Sequence, residues 1–352
     1  MRFYRGRRVL VTGGLGFIGS NLAVRLVQLG AQVTIVDASI AGCGANVRNI
    51  SSISRDVRLA RHDIANAASV GPLAKGAEVI FNLAGEISHR HSMEYPERDL
   101  DVNARAQMLF VRACAREAPG IRIVYTGTRQ VYGRPQSLPV NEEHPIAPVD
   151  YNGVSKHAAE QYHLVPTRDG LLDAVVLRLS NTYGPRLAVN VPCQGVLSVF
   201  FMRLLLGMSI EIFGDGSQLR DPVYVDDVVD ALLRAGAAPK LKSRVYNVGG
   251  PAALALGEIG IVLNRLKGGA PIVYRPFPRE LSKIDIGSFA SDSTRIRNDL
   301  KWHPEVGLEE GAARTLRFFE ERLEDYLDPS RGCPQCLLKR PARIGKAPAF
   351  AR

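Results

Sequence analysis

Three glycines near the amino terminus have the spacing of a phosphate-binding turn. Gly13, Gly16 and Gly19 follow the apolar run from Arg8 to Thr12 and precede a helical pattern that continues to Leu29. In such a unit the first glycine permits a tight turn, the second lets the backbone approach a pyrophosphate, and the third lets helix and strand pack closely. The helix N-terminus then offers free N–H groups and a positive dipole end to the phosphates. The spacing therefore predicts a dinucleotide site.

An acidic residue at the end of the next strand pattern indicates which dinucleotide binds. The pattern 32–36 ends at Asp37, eighteen residues after Gly19. A carboxylate at this place accepts the ribose hydroxyls of an adenosine and would repel a 2′-phosphate. We therefore predict NAD, and not NADP, as the cofactor.

Length and composition are those of a globular protein. The chain has 352 residues, of which 46% are hydrophobic and 23% are charged, enough for one two-lobed domain or for two domains. The first strand pattern begins by Val9, so we predict no signal peptide. No apolar run approaches the ~20 residues that cross a bilayer. We expect a cytoplasmic protein with no membrane partner.

The basic net charge is concentrated at the carboxyl end. Residues 329–352 contain six basic residues and no acidic residue, which accounts for +6 of the net charge of +10. The remaining +4 is ordinary for a protein that binds a dianionic nucleotide, so we predict no nucleic-acid partner. We expect residues 329–352 to be a mobile tail, or else to contact an acidic partner. Cys333 and Cys336 supply half of a zinc site at most, and we predict no metal.

Strand and helix patterns alternate through the first 180 residues. Strand patterns cover 79–84, 121–126 and 174–179, and helical patterns cover 103–117 and 155–164. This alternation predicts an α/β fold, a Rossmann-type doubly wound parallel sheet with ligands beyond the carboxyl ends of its strands. Further helical patterns cover about 194–206, 225–235, 256–267 and 308–323. We assign an NAD-binding domain to 1–180 plus about 222–249, and a smaller C-terminal substrate-binding lobe to about 181–221 plus 250–328.

The order of short motifs resembles one family over residues 7–325. The chain is similar to the extended short-chain dehydrogenase/reductase family, and within it to the NAD-dependent nucleotide-sugar epimerases and dehydratases typified by UDP-galactose 4-epimerase. The motifs that carry the resemblance are TGGLGFIGS at 12–20, Asp37, HDI at 62–64, NLAG at 82–85, VYTGTRQVYG at 124–133, SK at 155–156, LRLSNTYGPR at 177–186, FGDGSQLRDPVYVDD at 213–227 and YNVGG at 246–250.

The resemblance implies a set of cofactor and substrate residues. The residues implied to contact NAD are Gly13, Gly16, Phe17, Ile18, Gly19, Asp37, Asp63, Ile64, Leu83, Ala84, Gly85, Asn103, Thr126, Lys156 and Leu179. The residues implied to contact a nucleotide-diphosphate sugar are His89, Arg129, Asn181, Arg186 and Arg220. Thr128 takes the place of the family's hydroxyl group beside the sugar oxygen that is oxidised. For Arg220 an ion pair with Asp221 or Asp215 is the alternative.

The catalytic motif of the family is altered in this chain. A tyrosine removes the hydroxyl proton when a lysine four residues later lowers its pKa, because residues i and i+4 share one helix face. Four residues before Lys156 the chain has Asn152, whose amide does not exchange a proton at useful pH. Tyr151 is one position early.

Three interpretations of this change stay open. In the first, irregular backbone brings the Tyr151 hydroxyl into place. In the second, His89, His91 or Tyr183 transfers the proton. In the third, the protein binds NAD and a nucleotide sugar without turnover.

The residues after Thr128 distinguish between reactions. The similar dehydratases follow the catalytic threonine with an aspartate and a glutamate, whereas this chain has Arg129 and Gln130. Water elimination is therefore disfavoured. Arg129 would recognise an anionic or hydroxyl-rich sugar, or pair with Glu142 or Glu143. We predict an NAD-dependent nucleotide-sugar epimerase, with a dehydratase or decarboxylase of the same family and a non-catalytic binding protein as alternatives. The resemblance also implies a homodimer through the helices containing Asn103 and Lys156.

Overall fold

The computed structural model describes residues 2–40, 42–189, 191, 195–268 and 271–326. The strands are β1 (Arg8–Thr12), β2 (Gln32–Val36), β3 (Val57–Ala60), β4 (Val79–Asn82), β5 (Arg122–Thr128), β6 (Asp173–Leu179), β7 (Thr182–Tyr183), β8 (Ile210–Phe213), β9 (Leu219–Arg220), β10 (Val223–Tyr224), β11 (Val245–Val248), β12 (Leu254–Ala255) and β13 (Ile272–Arg275). The helices are α1 (Phe17–Gln28), α2 (Ala67–Lys75), α3 (His89–Glu94), α4 (Pro96–Leu100), α5 (Ala106–Glu117), α6 (Tyr151–Arg168), α7 (Val196–Leu205), α8 (Val225–Ala237), α9 (Leu256–Lys267), α10 (Arg279–Ser282), α11 (Thr294–Leu300), α12 (Leu308–Glu320) and α13 (Leu323–Tyr326).

Seven parallel strands form the central sheet, in the order β11-β6-β5-β4-β1-β2-β3. Apolar residues alternate between its faces: Val9 and Val11 pack with α1 and α8, and Leu10 packs with α2 and α5. The order reverses between β1 and β4, which is the place where a Rossmann-type sheet opens a ligand crevice. The predicted doubly wound parallel sheet is confirmed.

The predicted elements are confirmed, with shifted ends. The helix predicted at 155–164 spans Tyr151–Arg168, because the Asp150 side chain caps it by accepting a hydrogen bond from the Gly153 N–H. The helix predicted at 103–117 joins α4 through a π-helical turn, Asp101–Arg105. The residues after β6 form α7, α9 and α12 and three two-stranded sheets, β10-β7, β12-β9 and β13-β8. Among the described residues no helix is both long and apolar enough to cross a membrane. Cys333, Cys336 and the basic residues 329–352 lie outside the described residues.

A neutral histidine is built into the core where α6 packs on β4 and β5. The His163 ring stacks on Tyr125 with centroids 4.4 Å apart. Its Nδ1 lies 2.8 Å from the Ala159 carbonyl oxygen and its Nε2 lies 3.0 Å from the Asn82 side-chain amide. Nδ1 therefore donates and Nε2 accepts, which leaves no place for a second proton. Burial lowers the pKa of His163 to about 4.

His163 is expected to make the folded state sensitive to acid. The pKa falls from 6.5 in an ordinary histidine to about 4 in the folded chain. Between these pH values the unfolded chain binds a proton that the folded chain excludes, so stability is lost as the pH falls. We expect a loss of about 3 kcal/mol across this window. Urea unfolding of the wild type and of His163→Gln at several pH values measures this loss. If the free energy of unfolding changes with pH equally in both proteins, the assignment is wrong.

Candidate active site

A cleft follows the carboxyl edge of the central sheet. One end is lined by the segments after β1, β2 and β4, and the other by the segments after β5 and β6 and by the first turns of α6. The predicted cofactor residues that line it are Gly13, Gly16, Phe17, Ile18, Gly19, Asp37, Asp63, Ile64, Leu83, Ala84, Gly85, Thr126, Lys156 and Leu179. Asn103 is buried behind this wall, where its amide donates to Asp99 at 2.8 Å and its Oδ1 accepts from the Glu86 N–H at 2.9 Å.

The glycine turn leaves space at the phosphate end of the cleft. Gly13 has φ +68°, and a Cβ built on it would lie 2.7 Å from the Leu83 carbonyl oxygen. A Cβ on Gly19 would lie 2.2 Å from the Gly13 carbonyl oxygen. Helix α1 begins after Gly16 without a side-chain cap, so its first N–H groups are open toward a phosphate. This turn fits a dinucleotide pyrophosphate.

Two backbone amides hold the Asp37 carboxylate in a fixed position at the end of the cleft predicted to bind the ribose. Its Oδ2 accepts from the Leu15 N–H at 3.0 Å, and its Oδ1 accepts from the Ser39 N–H at 2.8 Å. Burial raises the pKa of Asp37, while these two amides and Arg61 act to lower it. Each carboxylate oxygen keeps a further lone pair for a ribose hydroxyl.

Lys156 reaches the middle of the cleft from the second turn of α6. A Cβ on Gly85 would lie only 2.4 Å from its Nζ, so the absence of a side chain there makes room for the ammonium group. Burial lowers the pKa of Lys156 to about 8, against the opposing charges of Asp99, Cys43 and Glu86. Lys156 is therefore a cation near neutral pH, suited to a ribose hydroxyl.

Asn152 occupies the position of the missing tyrosine and is held by the protein itself. Its side-chain amide donates to the Glu86 carbonyl oxygen at 3.1 Å and to Asp99 Oδ1 at 2.9 Å. Its N–H donates to the Ser92 hydroxyl at 3.2 Å. Asn152 also lines the cleft. The side chain thus fastens α6 to the segment after β4 and has no proton to transfer.

The structure does not bring the Tyr151 hydroxyl into the cleft. Tyr151 is the first residue of α6 and is 49% exposed. It is one residue, about 100° of helix rotation, away from the inward-facing Asn152. Since α6 is regular from Tyr151 onward, the backbone does not redirect this side chain.

The three other proton-transfer candidates lie in different surroundings. His89 lines the cleft, and its Nδ1 lies 3.1 Å from Asp150 Oδ2. His91 is turned to Glu86, with 2.6 Å between Nδ1 and Oε1, and does not line the cleft. Tyr183 is fully buried, and burial raises its pKa far above its usual value. His89 is therefore the candidate that the fold exposes to a ligand.

Arg129 is a buried cation on the cleft wall. Its guanidinium lies 5.0 Å from the centre of the Phe289 ring, and its Nη1 has no hydrogen-bond partner within the described residues. Burial and the charge of Arg220 lower the pKa of Arg129 to about 9, with Asp221 and Asp285 opposing. Arg129 thus stays charged at neutral pH and offers an unused donor.

The carboxylates expected as alternative partners of Arg129 are taken by another arginine. Glu142 lies 3.3 Å and Glu143 lies 2.6 Å from the Arg295 guanidinium. An ion pair of Arg129 with either one is therefore excluded as the explanation of its position.

Of the other predicted substrate residues, Asn181 lines the cleft, whereas Arg220 and Arg186 donate hydrogen bonds to the protein itself. Asn181 lines the cleft, and its buried Oδ1 has no partner among the described residues, as expected of a group that meets a ligand. Arg220 donates to the carbonyl oxygens of Leu219 and Gly287, at 2.8 and 2.7 Å.

The ion pairs with Asp221 or Asp215 that were the alternative for Arg220 do not form. Arg220 instead lies 3.5 Å from Asp285. Arg186 has φ +70° and donates to the Asn49 carbonyl oxygen at 2.9 Å and to Asn21 Oδ1 at 2.7 Å, which fastens the chain behind the cleft.

Asp150 is the site residue that the sequence analysis did not single out. Its carboxylate caps α6 through the Gly153 N–H at 2.7 Å and also accepts from Gln130 Nε2 at 2.7 Å. The available signal was the residue type, because an aspartate shortly before a predicted helix is a common N-cap. The pattern predicts the cap but not the contact with His89, which comes from a segment sixty-one residues earlier.

Comparisons with known proteins agree with this geometry. Residues 9–249 match the model of the "NAD dependent epimerase/dehydratase family". The chain is 36% identical over 317 residues to UDP-glucose 4-epimerase of Mycolicibacterium smegmatis, covering 90% of this chain and 99% of the relative. It is 29% identical to UDP-glucuronic acid decarboxylase 1 of Xenopus tropicalis, covering 97% and 77%. The crystal structure of Thermotoga maritima UDP-glucose 4-epimerase with UDP-glucose has a TM-score of 0.81 and 30% identity, covering 90% of this chain and 100% of that one.

NAD is the cofactor for which the cleft is formed. The glycine turn leaves space for a pyrophosphate, Asp37 offers carboxylate oxygens at one end of the cleft, and Lys156 offers a cation in its middle. The matching family is NAD-dependent by its own description.

Proposed function

We propose, from the premise that this chain belongs to the NAD-dependent epimerase/dehydratase family, that it is a nucleotide-sugar epimerase. NAD⁺ held in this cleft would supply reversible hydride transfer. The protein has to hold the sugar carbinol, move its hydroxyl proton, and let the keto sugar turn so that the hydride returns to its other face.

In this proposal Thr128 orients the carbinol. It lies at the end of β5 on the cleft wall, and its Oγ1 accepts from the Gln130 N–H at 3.2 Å. The hydroxyl proton of Thr128 is thus left for donation to the substrate oxygen. Lys156 holds the cofactor ribose and adds a positive charge where an alkoxide develops.

One observation favours epimerisation over elimination. Among the described residues that line the substrate end of the cleft, none is an aspartate or a glutamate. Elimination of water needs an acid and a base beside the sugar in addition to the oxidising groups. Arg129 and Gln130 follow Thr128 in this chain, and the amide of Gln130 is committed to Asp150.

The substrate we propose is a nucleoside diphosphate sugar. Asn181 Oδ1 and Arg129 Nη1 are buried and have no hydrogen-bond partner among the described residues, so both are free to bind a ligand there. The Arg129 guanidinium suits a carboxylate or several hydroxyls on the sugar. Arg220 remains our proposal for the diphosphate, and its substrate contact requires an exchange of its present carbonyl partners.

We also propose a homodimer, formed through α6 and the continuous helical segment 96–117. Apolar side chains repeat at helical spacing on the outer face of α6, and α4 adds another beside them; the exposed ones are Tyr151, Val154, Tyr162, Val165 and Leu100. A second copy would cover this face and would also explain why Tyr151 points outward.

A substrate panel tests the function. Purified protein with NAD⁺ is mixed with UDP-, GDP-, dTDP- and CDP-sugars, uronic acids included, and products are separated by chromatography and mass spectrometry. We expect an epimer of unchanged mass from at least one member. A product lighter by water or by carbon dioxide would assign a dehydratase or a decarboxylase, the latter being the activity named for a relative at 29% identity.

The second candidate function is non-catalytic binding, and Asn152 is the observation that favours it. The same panel decides between the two, because oxidation of a sugar produces a transient reduced-nicotinamide absorbance. If the panel yields neither an epimer nor that absorbance, while calorimetry shows NAD and sugar-nucleotide binding, the epimerase proposal is wrong.

A further inference from the structure

The tyrosine that accepts the proton in this family is absent, and another side chain occupies its position. Asn152 fills the place of the tyrosine, and its amide is used by Glu86 and Asp99. An amide neither accepts nor releases a proton near neutral pH. Oxidation of a carbinol therefore needs another basic group at this end of the cleft.

Few titratable side chains are available at the substrate end of the cleft. Among the described residues that line it they are Cys43, His89, Arg129 and Lys156. The pKa values of Lys156, about 8, and of Arg129, about 9, keep both protonated at neutral pH. Burial and Glu86 raise the pKa of the Cys43 thiol. His89 is left as the lining side chain whose ring nitrogen has a lone pair that can accept a proton.

A buried carboxylate orients His89. Asp150 Oδ2 lies 3.1 Å from His89 Nδ1, and the Asp150 side chain is fully buried. Nδ1 has no hydrogen bond of good geometry among the described residues, so Asp150 acts on the ring as a close negative charge. A carboxylate so near Nδ1 favours the tautomer with the proton on Nδ1, which leaves the lone pair on Nε2. Burial acts to raise the pKa of Asp150, but His89 and the donors of Gly153 and Gln130 bring it below its ordinary value.

The carboxylate is itself held rigidly. Its Oδ1 accepts from the Gly153 N–H and its Oδ2 from Gln130 Nε2, both at 2.7 Å. Gln130 lies two residues after Thr128, so Asp150 is hydrogen-bonded to the segment of Thr128 and in close contact with the segment of His89. Such a pair resembles the histidine–carboxylate arrangement that serves as a general base in unrelated enzymes.

We propose that His89, oriented by Asp150, is the general base of the oxidation, in place of the family's tyrosine. This inference rests on the proposed epimerase function. As the carbinol C–H hydride leaves for NAD⁺, the O–H bond breaks, its proton passes to His89 Nε2, and a C=O double bond forms. In the return step the imidazolium gives the proton back to the oxygen as the hydride re-adds to carbon.

The test compares His89→Asn with His91→Asn. In either variant the new amide retains a donor near the place of Nδ1 but has no basic nitrogen. We expect His89→Asn to lower kcat by at least about 100-fold, with calorimetric affinities for NADH and for the sugar nucleotide unchanged. His91 lies in the same turn of α3 but does not line the cleft, so His91→Asn is expected to keep wild-type kcat.

A chemical-rescue experiment separates a base from a structural histidine. His89 is partly exposed, so added imidazole can enter the space left in His89→Gly. We expect imidazole to restore turnover of His89→Gly in proportion to the concentration of its neutral form. His91→Gly serves as the control and is not expected to respond.

Asp150 is tested as a positioning residue. Asp150→Asn keeps an N-cap for α6, since asparagine caps as well as aspartate, but removes the charge beside Nδ1. We expect kcat to fall about tenfold or more while KM stays the same. A residue that only capped the helix would change neither.

The outcomes separate this inference from the function on which it rests. A wild-type protein that oxidises no sugar overturns both. An active wild type whose His89→Asn variant keeps its kcat, or whose His89→Gly variant binds both ligands but ignores imidazole, overturns the role of His89 alone.

Discussion

Asp37→Ala is expected to weaken NAD binding by about 100-fold and to remove the preference for NAD over NADP. In the complex that we predict, the carboxylate accepts from the ribose 2′-hydroxyl, and a hydrogen bond to a charged group contributes about 1.5–3 kcal/mol. The variant also frees the amides of Leu15 and Ser39, which now hold the glycine turn against Asp37. Calorimetry with both dinucleotides measures the effect.

The matched control for this prediction is Asp56→Ala. Asp56 is an exposed acidic residue just before β3 and does not line the cleft. The Asp56→Ala variant loses the same charge but keeps the ribose end of the cleft unchanged, so its affinity for NAD should equal that of the wild type. Equal affinities of the wild type and Asp37→Ala would show that the ribose is not held here.

The dinucleotide end of the site was predictable because its geometry is local. Gly13, Gly16 and Gly19 lie within one strand–turn–helix unit, and Asp37 ends the adjacent strand. The tight turn and the close approach of α1 to β1 restrict these positions to glycine: a Cβ on Gly19 would overlap the Gly13 carbonyl oxygen. The same local rule, 100° per residue, indicated that Tyr151 faces away from Lys156.

The substrate end was less predictable because its contacts join distant segments. His89 meets Asp150, and Arg129 packs on Phe289, 160 residues further along the chain. No periodicity encodes these pairs. Their geometry depends on how the loops after β4 and β5 pack with the C-terminal residues. The alternative that Arg129 pairs with Glu142 or Glu143 fails for this reason, since Arg295 approaches both from α11.

The ends of the helices were also less predictable than their middles, because they depend on contacts outside the helical pattern. The sequence indicated the middle of α6, 155–164, but neither of its ends, since its first turn depends on the Asp150 cap and its last turn continues through Pro166 to Arg168. The π-helical turn 101–105 was also not predicted. It turns Asn103 toward Glu86 and Asp99, so a side chain expected at the cofactor instead supports the wall of the cleft.

A buried ion pair joins the helix of Asn152 and Lys156 to the sheet beneath the cleft. Arg178 Nη2 in β6 lies 2.7 Å from Glu160 Oε2 in α6, and the two side chains are 5% and 0% exposed. Arg178 also donates to the Tyr132 hydroxyl at 2.9 Å. A Cβ on Gly127 would lie 2.6 Å from Glu160 Oε1, so β5 admits the carboxylate only beside a glycine.

Arg178→Met is expected to lower the free energy of unfolding by about 3–5 kcal/mol, because it leaves the Glu160 carboxylate buried without its cation. The double variant Arg178→Met/Glu160→Leu removes both charges and should be more stable than the single variant, since no uncompensated charge remains. Urea unfolding of the three proteins gives the comparison. A single variant within about 1 kcal/mol of the wild type, the size of an exposed ion pair, would show that water reaches Glu160. In that case the contact between α6 and β6 would be more open to solvent than the buried Arg178–Glu160 pair indicates.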